Sequence, residues 1–137
     1  MSKLISLAYK SEAQNEIREE TLIDILRVAR EYNPSVGITG MLLYGEGKFF
    51  QTLEGDADAV HSLFNDKICK DERHHGVVVL AEKEIEEREF PTWAMGFQWT
   101  NGLQEEEFAM LNAGSNAHQI IGRIKEHMAE NNVDMPL

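Results

Sequence analysis

A chain of 137 residues with 42% apolar and 27% charged residues has the length and composition of one globular domain. Its 24 acidic residues outnumber 13 basic ones, giving a net charge of −11. This charge disfavours binding to nucleic acids and to anionic membranes, which are themselves negatively charged. The lone cysteine, Cys69, excludes an internal disulfide and suits a reducing compartment, so we expect a cytoplasmic protein.

The chain begins with a strand pattern and a helix pattern. Lys3 to Tyr9 alternates polar and branched apolar residues, which predicts a first strand. Lys10 to Asn15 is polar and is predicted to be a loop. Arg18 to Tyr32 then carries apolar residues at the spacing of one helix face. Pro34 disfavours helical geometry in the residue before it, so we expect the helix to stop there.

A β-hairpin is predicted next. Thr39 to Tyr44 is an apolar run, a Gly-Glu-Gly tripeptide tolerates positive φ, and Lys48 to Glu54 forms the return strand. Because side chains alternate along a strand, Gln51 shares a face with Phe49 and Leu53, which we expect to be the core face. A buried amide must find hydrogen-bond partners, so the neighbours of Gln51 decide its role.

A second helix and two further strands follow. Asp56 suits the N-cap of a helix whose apolar stripe includes Val60, Leu63, Phe64 and Ile68. Gly76 to Ala81 is a branched strand, and Glu82 to Glu89 is charged and expected to face outward. Phe90 to Phe97 is predicted to be a short last strand that Pro91 interrupts.

The remaining residues have the pattern of two C-terminal helices, Leu103 to Leu111 and Ser115 to Glu130. The second helix has a narrow apolar stripe suited to docking on another surface. We expect these helices to cap the free sheet face, to contact a partner or another subunit, or both.

The order strand, helix, strand, strand, helix, strand, strand predicts an α+β fold. It is a ferredoxin-like βαββαβ core with an extra strand, followed by two C-terminal helices. We expect the first strand and the hairpin's second strand to be central, parallel neighbours, with both helices on one face. Tyr9 and Gln51 would then stand side by side beneath the helices.

Several kinds of functional site find little support. Adjacent His74 and His75, near Asp71 and Glu72, rarely converge on one metal ion, and a solvated helix end is the better interpretation. The glycines match neither standard nucleotide-binding loop. The acidic balance argues against RNA binding by exposed aromatic residues of the sheet. The loop after the first strand lacks the arginine that an acyl-phosphate hydrolase would need.

An uncharged set remains, formed by Tyr9, Asn33 and Gln51. A phenol has a reference pKa of about 10 and is a poor acid–base catalyst beside an amide. It is a plausible redox group, because a glutamine oxygen can accept the hydrogen bond of the phenolic proton. The electron acceptor must come from a bound molecule, since no residue of the chain supplies one.

Over about Leu4 to Phe97, the sequence resembles the BLUF family, the blue-light sensors that use flavin. The resemblance rests on segments that are individually weak and together very specific: Tyr9-x-Ser11, Asn33 followed by Gly37-Ile-Thr-Gly40, Phe50-Gln51-x-Leu-Glu-Gly55, Asp71-Glu-Arg-His74 and Phe90-Pro-x-Trp93-x-Met95-Gly96-Phe97. It implies FAD held between the two helices of a ferredoxin-like domain over residues 1–100. Residues 101–137 would form a helical cap or output segment.

The resemblance also implies a photoactive switch. Tyr9 resembles the tyrosine that donates an electron and then a proton to the excited flavin. Gln51 resembles the glutamine whose side chain rotates or tautomerises and makes a new bond to the flavin C4 carbonyl. Trp93 and Met95 match the pair that exchange position or bonding near this glutamine as the signal leaves the site.

Further cofactor-binding residues follow from the same resemblance. Asn33 matches the asparagine that fixes the polar edge of the ring, while Ile25 and Ile68 match the aliphatic residues that sandwich the ring. Lys67 and His74 lie where the family has variable contacts to the cofactor. Position 32 is a tyrosine where some relatives have a second asparagine, so one polar contact to the ring is expected to be lost.

The resemblance is to the short, stand-alone members, which implies a sensor without enzymatic activity that signals to a separate, unidentified protein. It also implies a homo-oligomer formed through the C-terminal helices. The alternatives are a small flavin-dependent reductase and a non-photoactive interaction module on the same fold. Retention of all three uncharged site residues argues against the interaction module.

Overall fold

The computed structural model describes residues 3–92 and 94–99, and these form the expected ferredoxin-like α+β fold with an extra strand. A 3₁₀ turn at Asn33–Val36 follows the first helix, and a π-helical turn at Leu63–Ile68 extends the second. The two predicted C-terminal helices lie outside the described residues. In chain order, the elements are β1 Leu4–Ala13, α1 Glu19–Tyr32, β2 Thr39–Gly45, β3 Lys48–Asp56, α2 Ala57–Ser62, β4 His74–Glu84 and β5 Gly96–Trp99.

The five strands form one sheet in the order β4-β1-β3-β2-β5. The prediction that β1 and β3 are central neighbours is confirmed, but the prediction that they are parallel is wrong. They pair antiparallel, with Tyr9 opposite Gln51. The physical reason is the connectivity. The connection through α1 makes β2 run in the same direction as β1, and the hairpin then turns β3 back between them, so β3 runs opposite to both. The extra strand β5 pairs with β2 in parallel.

Two element boundaries differ from the prediction at polar residues. The predicted loop over Lys10 to Asn15 is mostly strand, because β1 continues to Ala13 with Lys10 and Glu12 paired across to β3. The predicted strand over Gly76 to Ala81 is likewise longer and runs from His74 to Glu84 as an edge of the sheet. Charged residues are tolerated in both stretches because their side chains reach solvent at the sheet margins.

The last strand begins later than predicted, at Gly96 rather than Phe90. The backbone N–H groups of Glu89 and Phe90 donate to the buried Glu54 carboxylate at 2.8 and 2.9 Å, so they are not used in a strand ladder. Met95 therefore precedes β5, and Trp93 lies outside the described residues.

The hairpin between β2 and β3 has a two-residue turn. Glu46 and Gly47 have φ values of 53° and 75°, the combination that a type I′ turn requires at both central positions. The helix-facing side of the sheet packs against α1 and α2 in one apolar core. The face of β3 that points away from this core is also buried, with Phe50, Thr52 and Glu54 each no more than 2% exposed.

The helices pack as the apolar stripes predict. Leu22 and Leu26 of α1 are buried, as are Val60 of α2 and Leu63 in the turn that extends it. Asp56 occupies the N-cap position of α2, although its side chain makes no capping hydrogen bond. Within the residues the structure describes, no helix has the length and apolar character needed to cross a membrane.

Candidate functional site

A cavity of about 200 Å³ lies between the helix-facing side of the sheet and the two helical segments. Apart from Met95 and the undescribed Trp93, every residue singled out by the resemblance lines it. Seven further residues, for which the resemblance implies no contact with the cofactor, line it as well: Val28, Ala29, Leu42, Phe49, Leu63, Asp71 and Arg73. The full lining is Tyr9, Ile25, Val28, Ala29, Tyr32, Asn33, Leu42, Phe49, Gln51, Leu63, Lys67, Ile68, Asp71, Arg73 and His74.

Tyr9 and Gln51 meet at the floor of the cavity. The Tyr9 hydroxyl donates a hydrogen bond to Gln51 Oε1 at 2.5 Å, and the two side chains are only 4% and 7% exposed. Burial, and to a lesser extent the charges of Cys69 and Asp71, raise the pKa of Tyr9 far above its usual range. The phenol therefore keeps its proton at physiological pH, and that proton points at a single acceptor.

Gln51 links the cavity to the segment before β5. Its Nε2 donates to Met95 Sδ at 3.4 Å, a contact inside the buried core. A primary amide has two donor hydrogens, and among the described residues only one of them has an acceptor, so the other is available to a molecule in the cavity. Met95 is 1% exposed and does not itself line the cavity, so in the described part of the chain Gln51 connects it to the site.

Two side chains at the end of α1 hold the same segment. Asn33, at the start of the 3₁₀ turn, donates from Nδ2 to the Ala94 carbonyl at 2.9 Å. Arg30, three residues earlier, donates from Nε to the Met95 carbonyl at 2.9 Å. Arg30 was not predicted as a site residue, because the acceptor of its hydrogen bond is a backbone carbonyl. Its position one turn before Asn33 on the same helix face is the only signal in the sequence.

Asn33 is buried, and its amide oxygen accepts no hydrogen bond from the described residues. Asn33 and Gln51 both line the cavity. The two groups could pair with a ligand edge that carries both acceptors and donors.

The mouth of the cavity carries the charged and titratable groups. His74 Nε2 donates to the Ile68 carbonyl at 2.6 Å, so in the neutral ring Nδ1 accepts from the Ser11 hydroxyl at 2.7 Å. The Lys67 ammonium lies 3.6 Å from the centroid of the Tyr32 ring, a cation–π contact. Among the described residues, no cluster of three or more potential metal ligands occurs.

The shape and chemistry of the cavity suit a flat heteroaromatic ring. Ile25 from α1 and Ile68 from the extension of α2 provide aliphatic lining, while Gln51 and Asn33 provide polar groups. Sites for aromatic cofactors have this composition, with apolar walls and a few placed amides. The isoalloxazine ring of a flavin, with its edge of carbonyl and N–H groups, fits this set of residues.

Comparisons with known proteins point to the same class of ligand. Residues 4–96 match the family model described as BLUF, sensors of blue-light using FAD. The chain is 40% identical over 106 residues to the photoactivated adenylate cyclase subunit beta of Euglena longa. The matched region is 77% of this chain but only 12% of the Euglena protein.

Solved structures extend the similarity to the fold. The dark-state structure of BlrB, a BLUF protein, superposes with a TM-score of 0.78 at 30% identity, covering 90% of this chain and 98% of that chain. The ground state of BlsA superposes with a TM-score of 0.71 at 38% identity, covering 82% of this chain and 74% of that chain.

Proposed function

Because the chain belongs to the BLUF family of flavin-binding blue-light sensors, we propose that it is a photoreceptor that binds FAD noncovalently in the cavity between α1 and the extension of α2. The observation that carries the proposal is the buried hydrogen bond from Tyr9 to Gln51 Oε1 on the floor of that cavity. When bound, FAD would supply absorption of blue light and an electron acceptor.

The walls of the cavity define how the cofactor would be held. Ile25 and Ile68 would contact the two faces of the ring, and Asn33 and Gln51 would hydrogen-bond its polar edge. Lys67 and His74 lie at the mouth, where they would contact the outer part of the cofactor. Tyr32, which packs against Lys67, occupies the position where an asparagine would add a polar contact to the ring.

Tyr9 would be the electron donor. Loss of an electron makes a phenol strongly acidic, and the Tyr9 proton already has an acceptor at Gln51 Oε1. Because Gln51 also donates to Met95 Sδ, any rotation or tautomerisation of its amide must change that second contact. Tyr9 and Gln51 would thus act as the switch. Met95 would be the first residue beyond the cavity whose contacts change, because it accepts the hydrogen bond of Gln51.

The output would pass through the segment that contains Ala94 and Met95. This segment leads directly into β5, and its two carbonyls are held by Asn33 and Arg30 of the first helical region. A change at Gln51 would bias this element between two arrangements. We propose a cytoplasmic sensor that turns over no substrate and signals to a separate protein.

A matched pair of tyrosine variants tests the proposed function. Tyr9→Phe removes the hydroxyl that donates to Gln51, whereas Tyr44→Phe removes a hydroxyl from a buried tyrosine that packs on Phe49 and does not line the cavity. Both variants are expected to bind FAD. We expect a light-induced shift of the flavin absorption in Tyr44→Phe and none in Tyr9→Phe. A normal shift in Tyr9→Phe would rule out the assigned switch.

A further inference from the structure

We infer that Arg30 is a positioning residue for the Gln51 amide: its guanidinium holds the Met95 carbonyl, and so keeps the Met95 sulfur in place as the acceptor for Gln51. The inference rests on the proposed function, in which the Gln51 amide is the group that light rearranges. It concerns the part of the site that controls how easily this amide moves.

Arg30 reaches from the first helix to the segment that precedes β5. Arg30 lies in the last turn of α1, and its Nε donates to the Met95 carbonyl at 2.9 Å across a sequence separation of 65 residues. Asn33 holds the preceding carbonyl, that of Ala94, also at 2.9 Å. One face of the helix end therefore holds two successive carbonyls of the segment before β5.

The hydrogen bond from Gln51 to the Met95 sulfur is weak. A thioether sulfur is a weak acceptor, and a methionine side chain has three rotatable bonds. The 3.4 Å contact from Gln51 Nε2 cannot by itself fix the Met95 side chain. The backbone of Met95 must therefore be held by other groups, and the sheet ladder of β5 starts only at Gly96, opposite Met41.

The group that donates to the Met95 carbonyl, the Arg30 guanidinium, is charged. Hydrogen bonds from a guanidinium to a carbonyl are stronger than those between neutral groups. Arg30 is half-buried, and this desolvation lowers the pKa of its guanidinium from the usual range. A cation at a helix C-terminus is also favoured by the helix dipole. The charged hydrogen bond, rather than the partial burial, is therefore what lets Arg30 hold the Met95 carbonyl.

Arg27 provides the matched control on the same helix. Its guanidinium is exposed and pairs with Asp24 at 3.3 Å and Glu31 at 3.7 Å on the solvent face. Replacing it removes an arginine from α1 without touching the segment before β5. Arg30→Leu and Arg27→Leu therefore differ in the contact to Met95, and both leave a residue of good helix propensity.

The first test needs no flavin. Carbon-13 labelling of the methionine methyl groups gives one resonance for each of the six methionines, and Met95→Leu identifies that of Met95. We expect Arg30→Leu to shift or broaden the Met95 methyl resonance and Arg27→Leu to leave it unchanged. An unchanged Met95 resonance in Arg30→Leu would overturn the inference.

The second test uses the FAD-loaded protein and the rate at which the light-induced absorption shift decays in darkness. A looser Met95 lowers the barrier to rotation of the Gln51 amide, so we expect Arg30→Leu to recover about tenfold faster or more, the factor typical of losing one hydrogen bond to a charged group. Arg30→Gln, whose Nε2 lies at the same place along the side chain as Arg30 Nε, should restore most of the wild-type rate. Wild-type recovery in Arg30→Leu contradicts the inference.

The outcomes separate this inference from the proposed function. A wild-type protein without a reversible flavin shift would refute the function, while the methyl resonance would still test the contact between Arg30 and Met95. A normal wild-type shift with unaltered recovery in Arg30→Leu would refute the inference alone. If Arg30→Leu does not fold, Arg30→Lys replaces Nε with a methylene and keeps the charge. The same displacement of the Met95 resonance is then expected, and its absence would overturn the inference.

Discussion

The charge at the mouth of the cavity is concentrated in the pair Asp71 and Arg73. Arg73 donates from Nη2 to Asp71 Oδ2 at 2.5 Å and from Nε to Asp71 Oδ1 at 2.9 Å, and its backbone N–H bonds the same oxygen at 2.9 Å. These hydrogen bonds, opposed by partial burial, lower the pKa of Asp71 from its usual value and raise that of Arg73. The pair thus fixes the turn that leads into β4.

This pair predicts a pH dependence of stability. An aspartate with a lowered pKa in the folded state stabilises the fold above the ordinary aspartate pKa of the unfolded chain, and this contribution disappears as the pH falls through the folded pKa. Asp71→Asn should therefore lower the free energy of unfolding at pH 7 by up to about 1 kcal/mol, as partly exposed ion pairs do. Urea denaturation between pH 7 and pH 3 should show the difference from wild type shrinking.

Asp66→Asn is the control for this experiment, because Asp66 is exposed and, among the residues that the structure describes, accepts a single 3.2 Å hydrogen bond, from Ser62. Its difference from wild type should be small throughout the pH range. A destabilisation by Asp71→Asn that stays constant down to pH 3 would contradict the role assigned to the Asp71 carboxylate.

Single side chains were predictable from the sequence where both partners are side chains on neighbouring strands. The alternation of strand residues and the order of elements together place Tyr9 beside Gln51, and the register pairs them directly. The contacts of Arg30 and Asn33 could not be predicted, because their acceptors are backbone carbonyls of a non-strand segment. A carbonyl has no signature in the sequence.

At the level of elements, the hairpin of β2 and β3 forms the part of the sheet that carries Gln51. A methyl group at Gly40 would lie 2.0 Å from the Thr52 carbonyl oxygen on the opposite strand, a distance that no real Cβ adopts. The hairpin strands therefore approach closely at this point, and the approach depends on glycine.

Gly40→Ala is accordingly expected to destabilise the protein strongly. Overpacking of a well-packed interior costs about 1–3 kcal/mol, and here the clash is with backbone that cannot rotate away. Gly47→Ala is the comparison, since that site has open space and only the cost of a φ of 75°, which is on the order of 1–2 kcal/mol. Chemical denaturation of both variants measures the two costs. If Gly40→Ala were as stable as the wild type or more stable, β2 and β3 would not approach each other as closely as described.

The connection from β4 to β5 is the element that sequence patterns described least well. Glu54 is buried within β3 and accepts the N–H groups of Glu89 and Phe90, while Arg88 donates to the carbonyls of Glu54 and Gly37 at 3.0 and 2.7 Å. Burial raises the pKa of Glu54 despite these hydrogen bonds. An apolar run beside such a network is predicted as strand, because periodicity does not reveal that a distant carboxylate has taken its N–H groups.

At the scale of the whole molecule, the sheet separates two buried faces. The face beneath α1 and α2 contains the cavity with Tyr9 and Gln51, and the opposite face of β3 is buried as well. Met95 connects the cavity to β5, the strand at the sheet edge beside β2. The order of elements predicted this architecture. The predicted direction of β3 was wrong, because β2 runs in the same direction as β1 and the hairpin reverses the chain before β3.

The absorption spectrum of the purified FAD-loaded protein, taken before and after a blue flash and followed in darkness, tests whether the molecule is a photoreceptor. We predict a flavin spectrum that shifts slightly to the red and returns, because the proposed switch would change the hydrogen bonds of Tyr9 and Gln51 beside the cofactor and then revert. Bleaching toward a reduced flavin that persists, with oxidation of added NADH, would point to a flavin-dependent reductase. A bound flavin whose spectrum does not respond to light would contradict the account.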